Sequence, residues 1–142
     1  MEFVYNDGGR KDAGYKGVAN DCVCRAIATA TEKPYKEIYK LINDFGKREK
    51  ITKRKPDRSS ARTGVYPETI KAVMEFLGWT WIPTMKIGSG CKVHLKEDEL
   101  PSGRLVVNLS KHTTCVVNGV LYDTYDCTRD GSRCVYGYFY KK

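Results

Sequence analysis

HTTCVVNGVLYDT, His112 to Thr124, is the stretch on which the fold turns. Asn118-Gly119 separates two apolar, β-branched runs, and both residues tolerate the positive φ of a two-residue type I′ turn. The spacing predicts a hairpin of fixed register, with Val117 opposite Val120, Cys115 opposite Tyr122, Thr114 opposite Asp123 and His112 opposite Tyr125. Because side chains alternate between faces along a strand, His112, Thr114 and Asp123 fall on one face. Asp123 is then the diagonal neighbour of His112, roughly 7 Å away between backbones, a gap that side chains of this length close to a hydrogen bond.

Outward from the hairpin, RLVVNLS at 104–110 and CVYGYFY at 134–140 read as further strands, and WTWI at 79–82 as another. Residues 83–103, with GSG at 88–90 and Pro101-Ser102-Gly103, read mainly as loop. Before Gly78 the spacing is helical. A first helix is expected just after the capping pair Asn20-Asp21, running through CVCRAIATAT to Lys33-Pro34, with Val23, Ile27 and Ala30 as its buried stripe. A second covers 35–45 on Ile38, Leu41, Ile42 and Phe45, with Gly46 as its stop. A third starts near Pro67 and buries Ile70, Val73, Met74 and Leu77 before Gly78. Helices first and strands later predict an α+β fold: N-terminal helices packed on a C-terminal antiparallel sheet. The 142 residues, 41% of them hydrophobic, suit one domain over residues 1–142.

The net charge of +8 is concentrated. Residues 46–62, GKREKITKRKPDRSSAR, carry eight Lys or Arg against Glu49 and Asp57, a local +6. Such an apolar-poor run reads first as a solvated basic loop, at about 46–63, and second as a docking patch for an acidic protein or nucleic acid through Lys50, Lys53, Arg54, Lys55 and Arg58. Tyr136, Tyr138 and Tyr140 alternate along a strand, and sheet packing explains them before base stacking does. No glycine cluster has the strand, helix and Lys-Ser/Thr context of a phosphate loop.

The opening MEFVYNDGGRKDAG lacks the layout of a secretion signal, and no apolar run approaches the roughly 20 residues needed to cross a bilayer. A soluble, cytoplasmic protein without membrane contact is expected. Six cysteines on such a chain are then expected as free thiols. No metal site or cofactor is expected, since C-x-x-C pairs are absent and His94 and His112 are the only histidines.

The chemistry converges on Cys22. Placed in the first turn of a helix, its thiol meets outward-pointing N–H groups and the positive end of the helix dipole, which stabilise a thiolate and an oxyanion alike. A cysteine there is on its own more often a small core residue. The His112–Asp123 pair changes that balance, because a carboxylate on one imidazole nitrogen leaves the other to take a proton from a nucleophile. Cys24 lies about 200° round the helix from Cys22 and reads as core. His94 reads as a surface histidine, and Asp126 is the reserve orienter, on the opposite face unless the strand bends after Thr124.

NDCVCRAIA followed by LSKHTTCVVNGVLYDT resembles papain-like cysteine peptidases, especially the small branch similar to bacteriocin-processing, ABC-transporter-associated peptidase domains. The order Cys, His, then Asp or Asn about ten residues on is that family's order, and the resemblance spans nearly the whole chain. It implies a helix bearing the cysteine against a sheet bearing the histidine, a Cys22-His112-Asp123 triad, and hydrolysis or transfer at peptide, isopeptide or related acyl bonds of a protein or peptide substrate. It also implies a phage or bacterial source, with a host-directed role in the host cytoplasm. The family's oxyanion glutamine has no counterpart, since the chain contains no glutamine; Asn20, two residues before Cys22, and Asn6 are the amide side chains nearest that role. The alternative is a catalytically silent peptidase-like module that docks an acidic partner through its basic loop.

Overall fold

The computed structural model describes residues 1–86 and 88–142; Ile87, within the expected 83–103 loop, lies outside the described residues. The described residues form three α-helices and six strands. In chain order these are β1 (Glu2–Tyr5), α1 (Cys22–Thr31), α2 (Tyr35–Gly46), α3 (Pro67–Phe76), β2 (Thr80–Pro83), β3 (Arg104–Leu109), β4 (His112–Val117), β5 (Val120–Asp123) and β6 (Gly137–Tyr140). The strands make one sheet in the order β1-β5-β4-β3-β6-β2.

The fold class is α+β, and the predicted hairpin holds its register. Cys115 pairs Tyr122, Val116 pairs Leu121 and Val117 pairs Val120. Asn118 and Gly119 both take positive φ, 49° and 78°, as a type I′ turn requires. The expectation of an antiparallel sheet is corrected: β1 runs parallel to β5, Glu2 beside Val120 through Tyr5 beside Asp123, so the sheet is mixed. Four exposed residues ending at the turn-rich NDGG stretch give no alternating pattern by which a strand could be recognised.

Both faces of the sheet are covered, which is why LVV and TCVV read as near-continuous apolar runs. On one face α1 packs across the central strands, burying Val23, Ile27, Ala30, Ile38, Val73 and Met74 with Val106, Cys115 and Phe139. On the other, Leu105, Val107, Val116 and Leu121 are sealed by Leu95, Leu100, Cys127 and Val135 from irregular segments. Burying roughly 100 Å² of apolar side chain at each such position is worth about 2–3 kcal/mol, so the rigidity of β3 and β4 comes from both layers.

Three local expectations are revised. Asp21 precedes α1 but makes no capping hydrogen bond; its carboxylate is committed to an ion network. Gly46 does not stop α2 in a left-handed turn. It is the last, buried residue of the helix, and a Cβ there would lie 2.1 Å from the Ser59 carbonyl oxygen, so its small size allows two backbones to approach. The expectation of six free thiols is corrected as well: Cys91 and Cys134 form a disulfide across 43 residues, with Cα atoms 5.8 Å apart. The bridge closes where His94 and Cys134 make an isolated antiparallel pair, a contact created only by the tertiary fold. No helix among the described residues is long and apolar enough to cross a membrane.

Candidate active site

α1 begins at Cys22, with Arg25 the first residue whose N–H finds a helical partner, the Asp21 carbonyl at 3.0 Å. No side chain caps the turn before it, so the first-turn N–H groups of α1 lack a side-chain acceptor among the described residues. β4 begins at His112, and packing of α1 against β4 brings the two element starts together. Cys22 and His112 line one cleft of about 820 Å³, with Asn20, Asn108, Lys111 and Tyr125 also on its walls.

The three residues expected to act together do meet. His112 Nε2 and Asp123 Oδ2 lie 2.7 Å apart, which leaves Nδ1 as the nitrogen for the Cys22 thiol. Thr114 Oγ1 donates to the same Asp123 oxygen at 2.7 Å, as the shared strand face predicts. Asp123 Oδ1 accepts the Thr124 N–H at 2.6 Å. The Tyr125 ring stands 5.3 Å from the imidazole, centroid to centroid, over the outer side of the site.

Electrostatics follow the geometry. Burial acts to raise the Cys22 thiol, but the hydrogen bond and positive charge of His112, a hydrogen bond from Thr113 backbone and the Arg25 guanidinium outweigh it and hold the thiol below its ordinary value. Burial acts to lower His112, yet hydrogen bonds with Asp123, Cys127 and Cys22 and the Asp123 charge push it up to about 11. Burial likewise raises Asp123, and the His112 and Thr114 hydrogen bonds with the imidazolium charge bring it below its ordinary value. The combination favours a thiolate–imidazolium pair.

Beneath the site lies a network that spacing alone did not single out. Asp21, 2% exposed, accepts from Arg25 in the first turn of α1, lies 3.4 Å from Arg10 Nε and accepts the Tyr35 hydroxyl at 2.6 Å. Arg25 Nη2 also lies 3.6 Å from Asp123 Oδ1, so one guanidinium bridges the carboxylate that precedes Cys22 and the carboxylate held by His112. The i,i+4 spacing of Asp21 and Arg25 was the available signal. Cys127, also missed, points its thiol at Asp123 Oδ2 from 3.7 Å.

His112, Asp123 and Cys127 hold donor atoms within 4.8 Å of one another, the one group among the described residues so placed. Metal ligands at 2.0–2.3 Å in tetrahedral array stand roughly 3.3 Å or more apart. The 2.7 Å His112–Asp123 contact is a shared proton's distance and suits a hydrogen-bonded pair better than a metal.

Asn20 lines the cleft, exposed, its N–H on the Arg62 carbonyl at 2.8 Å, whereas Asn6 Oδ1 accepts from Gly8 and Thr29 outside the cleft. Asn108, which no sequence motif singles out, lines the cleft with Oδ1 taken by the Thr113 hydroxyl at 3.3 Å. Cys24 is buried in the core, its thiol pushed up to about 12 chiefly by burial. Asp126 serves Thr128 and not His112, and His94 pairs with Glu99 at 3.1 Å. In the basic loop Lys50, Lys53 and Arg54 are exposed and without acidic partners among the described residues. Lys55 pairs with Glu68 at 2.9 Å and Arg58 donates to the Glu49 carbonyl at 3.1 Å, so these two hold the loop itself.

No protein-family model, curated protein or solved structure matches the chain.

Proposed function

We propose that this chain is a cysteine hydrolase of papain-like design acting on amide or related acyl bonds, peptide and isopeptide bonds first. One observation carries the reading: a cleft-lining cysteine at a helix start faces an imidazole whose far nitrogen is held 2.7 Å from a buried carboxylate. Each group has a defined task. The Cys22 thiolate attacks the carbonyl carbon, forming a C–S bond while the carbonyl π electrons move to oxygen. First-turn N–H groups of α1, with the Asn20 or Asn108 amide, stabilise that oxyanion. His112 gives its Nδ1 proton to the departing amine as the C–N bond breaks. Water, losing a proton to His112, then attacks the thioester and releases the acid and the thiolate.

Asp123 and Thr114 fix the imidazole, and the Arg25 bridge holds Asp123 in line with the helix that bears Cys22. A second reading, in which the chain docks an acidic protein or nucleic acid, is favoured by the uncommitted charges at Lys50, Lys53 and Arg54. A peptide vinyl sulfone of mixed sequence separates the two. The hydrolase reading predicts a covalent adduct on Cys22, absent in Cys22→Ser, together with cleavage of a peptide mixture. Absence of both, with strong salt-sensitive capture of an acidic ligand, contradicts it.

A further inference from the structure

We propose, building on the hydrolase reading, that Lys111 selects substrates carrying a carboxylate within the first two residues on the leaving-group side of the scissile bond. Leu109 pairs with His112, so Ser110-Lys111 form a two-residue turn between β3 and β4. Lys111 takes φ 55°, a left-handed conformation that residues other than Gly, Asn and Asp avoid. The neighbouring hairpin fills such positions with Asn118-Gly119, the residues suited to them. Glu32 and Arg129 take a similar φ off the cleft wall, so what distinguishes Lys111 is its place on that wall, in a two-residue turn joined directly to His112.

Charge accounting on the cleft wall supports that role. Of the charged residues lining it, Asp21 and Arg25 are committed to each other and to Tyr35 and Asp123, and His112 is held by Asp123. Lys111 is exposed and has no acidic partner among the described residues. The one uncommitted charge that a substrate meets among the described lining residues is therefore an ammonium group. Its position sets the subsite: His112 donates its proton to the departing amine, so the residue joined to His112 stands nearest the part of the substrate that leaves with that amine.

The ammonium is a compact point charge on a flexible stem, suited to Asp or Glu without strict geometry. A partly desolvated pair of this kind gives about a five- to tenfold advantage in kcat/KM, and it weakens as salt shortens the Debye length to about 4 Å near 0.5 M.

The test is a positional peptide library read by mass spectrometry, with Asp, Glu, Ala or Lys at each of the first two leaving-group positions, cut by wild type, Lys111→Glu and Lys111→Gly. Wild type should prefer acidic over neutral residues about five- to tenfold at low salt and approach parity at 0.5 M NaCl. Lys111→Glu should turn the preference toward Lys, and Lys111→Gly, which relieves the strained φ and so should melt no lower than wild type, should level it. Cleavage by wild type without regard to charge, or an acidic preference that persists in Lys111→Glu, overturns the assignment of Lys111 alone. A library left uncut by wild type overturns the hydrolase reading and this assignment with it.

Discussion

Replacing Asp123 with Asn removes one charge from the centre of the site and introduces two N–H donors. The carboxylate uses both oxygens: Oδ2 accepts from His112 and Thr114 at 2.7 Å each, and Oδ1 accepts from the Thr124 N–H at 2.6 Å, 3.6 Å from Arg25 Nη2. An amide turned either way sets its NH2 against donors. Turned toward His112, it forces the imidazole proton onto Nδ1, the nitrogen that must accept from Cys22. The charge also matters directly. At roughly 4 Å between charge centres and an effective dielectric of 20, the imidazolium loses about 4 kcal/mol, close to a thousandfold in proton affinity. His112 therefore falls well below its present value of about 11, and Cys22 loses the cation that holds its thiol down.

The assay is the rate of Cys22 alkylation by iodoacetamide between pH 5 and 10, with circular dichroism confirming that the variant is folded. Wild type should reach its plateau below the ordinary thiol value of 9.0, while D123N should follow an ordinary thiol, with kcat/KM reduced by about 10²- to 10³-fold. Superimposable alkylation profiles for folded wild type and D123N would refute the coupling between Asp123, His112 and Cys22.

Arg25→Met strips the main cationic partner from Asp21, which is 2% exposed, and should cost about 3 kcal/mol, read as a lower urea midpoint at unchanged slope. Gly46→Ala drives a methyl against the Ser59 backbone and should cost about 1–3 kcal/mol in the same titration, whereas Gly14→Ala, with no atom within 4 Å of the added Cβ, meets no such contact and suffers only from its left-handed φ. Stability should also track the imidazole. His112 is raised from 6.5 to about 11, so its contribution is complete below pH 6.5 and is lost progressively as pH climbs toward 11; the alkaline fall in melting temperature should be shallower in His112→Ala.

Much of the site was legible because it depends on a register. Once Asn118-Gly119 is read as a type I′ turn, counting residues brings His112, Thr114 and Asp123 together, and the side-chain bonds at 2.7 Å follow. The start of α1 was equally readable, although Asp21 does its work in an ion network and not as a cap. What escaped were contacts made between distant segments. β1 has no alternation and acquires its identity only by lying beside β5, the Cys91–Cys134 bridge joins strands of the chain 43 residues apart, and Cys127 reaches Asp123 by a bend after β5. Gly46 suggests a helix stop by its conformational freedom, whereas the packing against Ser59 needs its lack of a side chain.

The proposed chemistry requires Cys22 to be a thiolate held by His112, and the most direct test is the neutral-pH alkylation rate of each free thiol, mapped by peptide mass spectrometry. Cys22 should react fastest, by about 10²-fold over Cys24 and Cys115, whose thiols burial pushes up to about 12, and His112→Ala should abolish that lead. Equal, slow labelling of Cys22, Cys24 and Cys115 in the folded protein would contradict it.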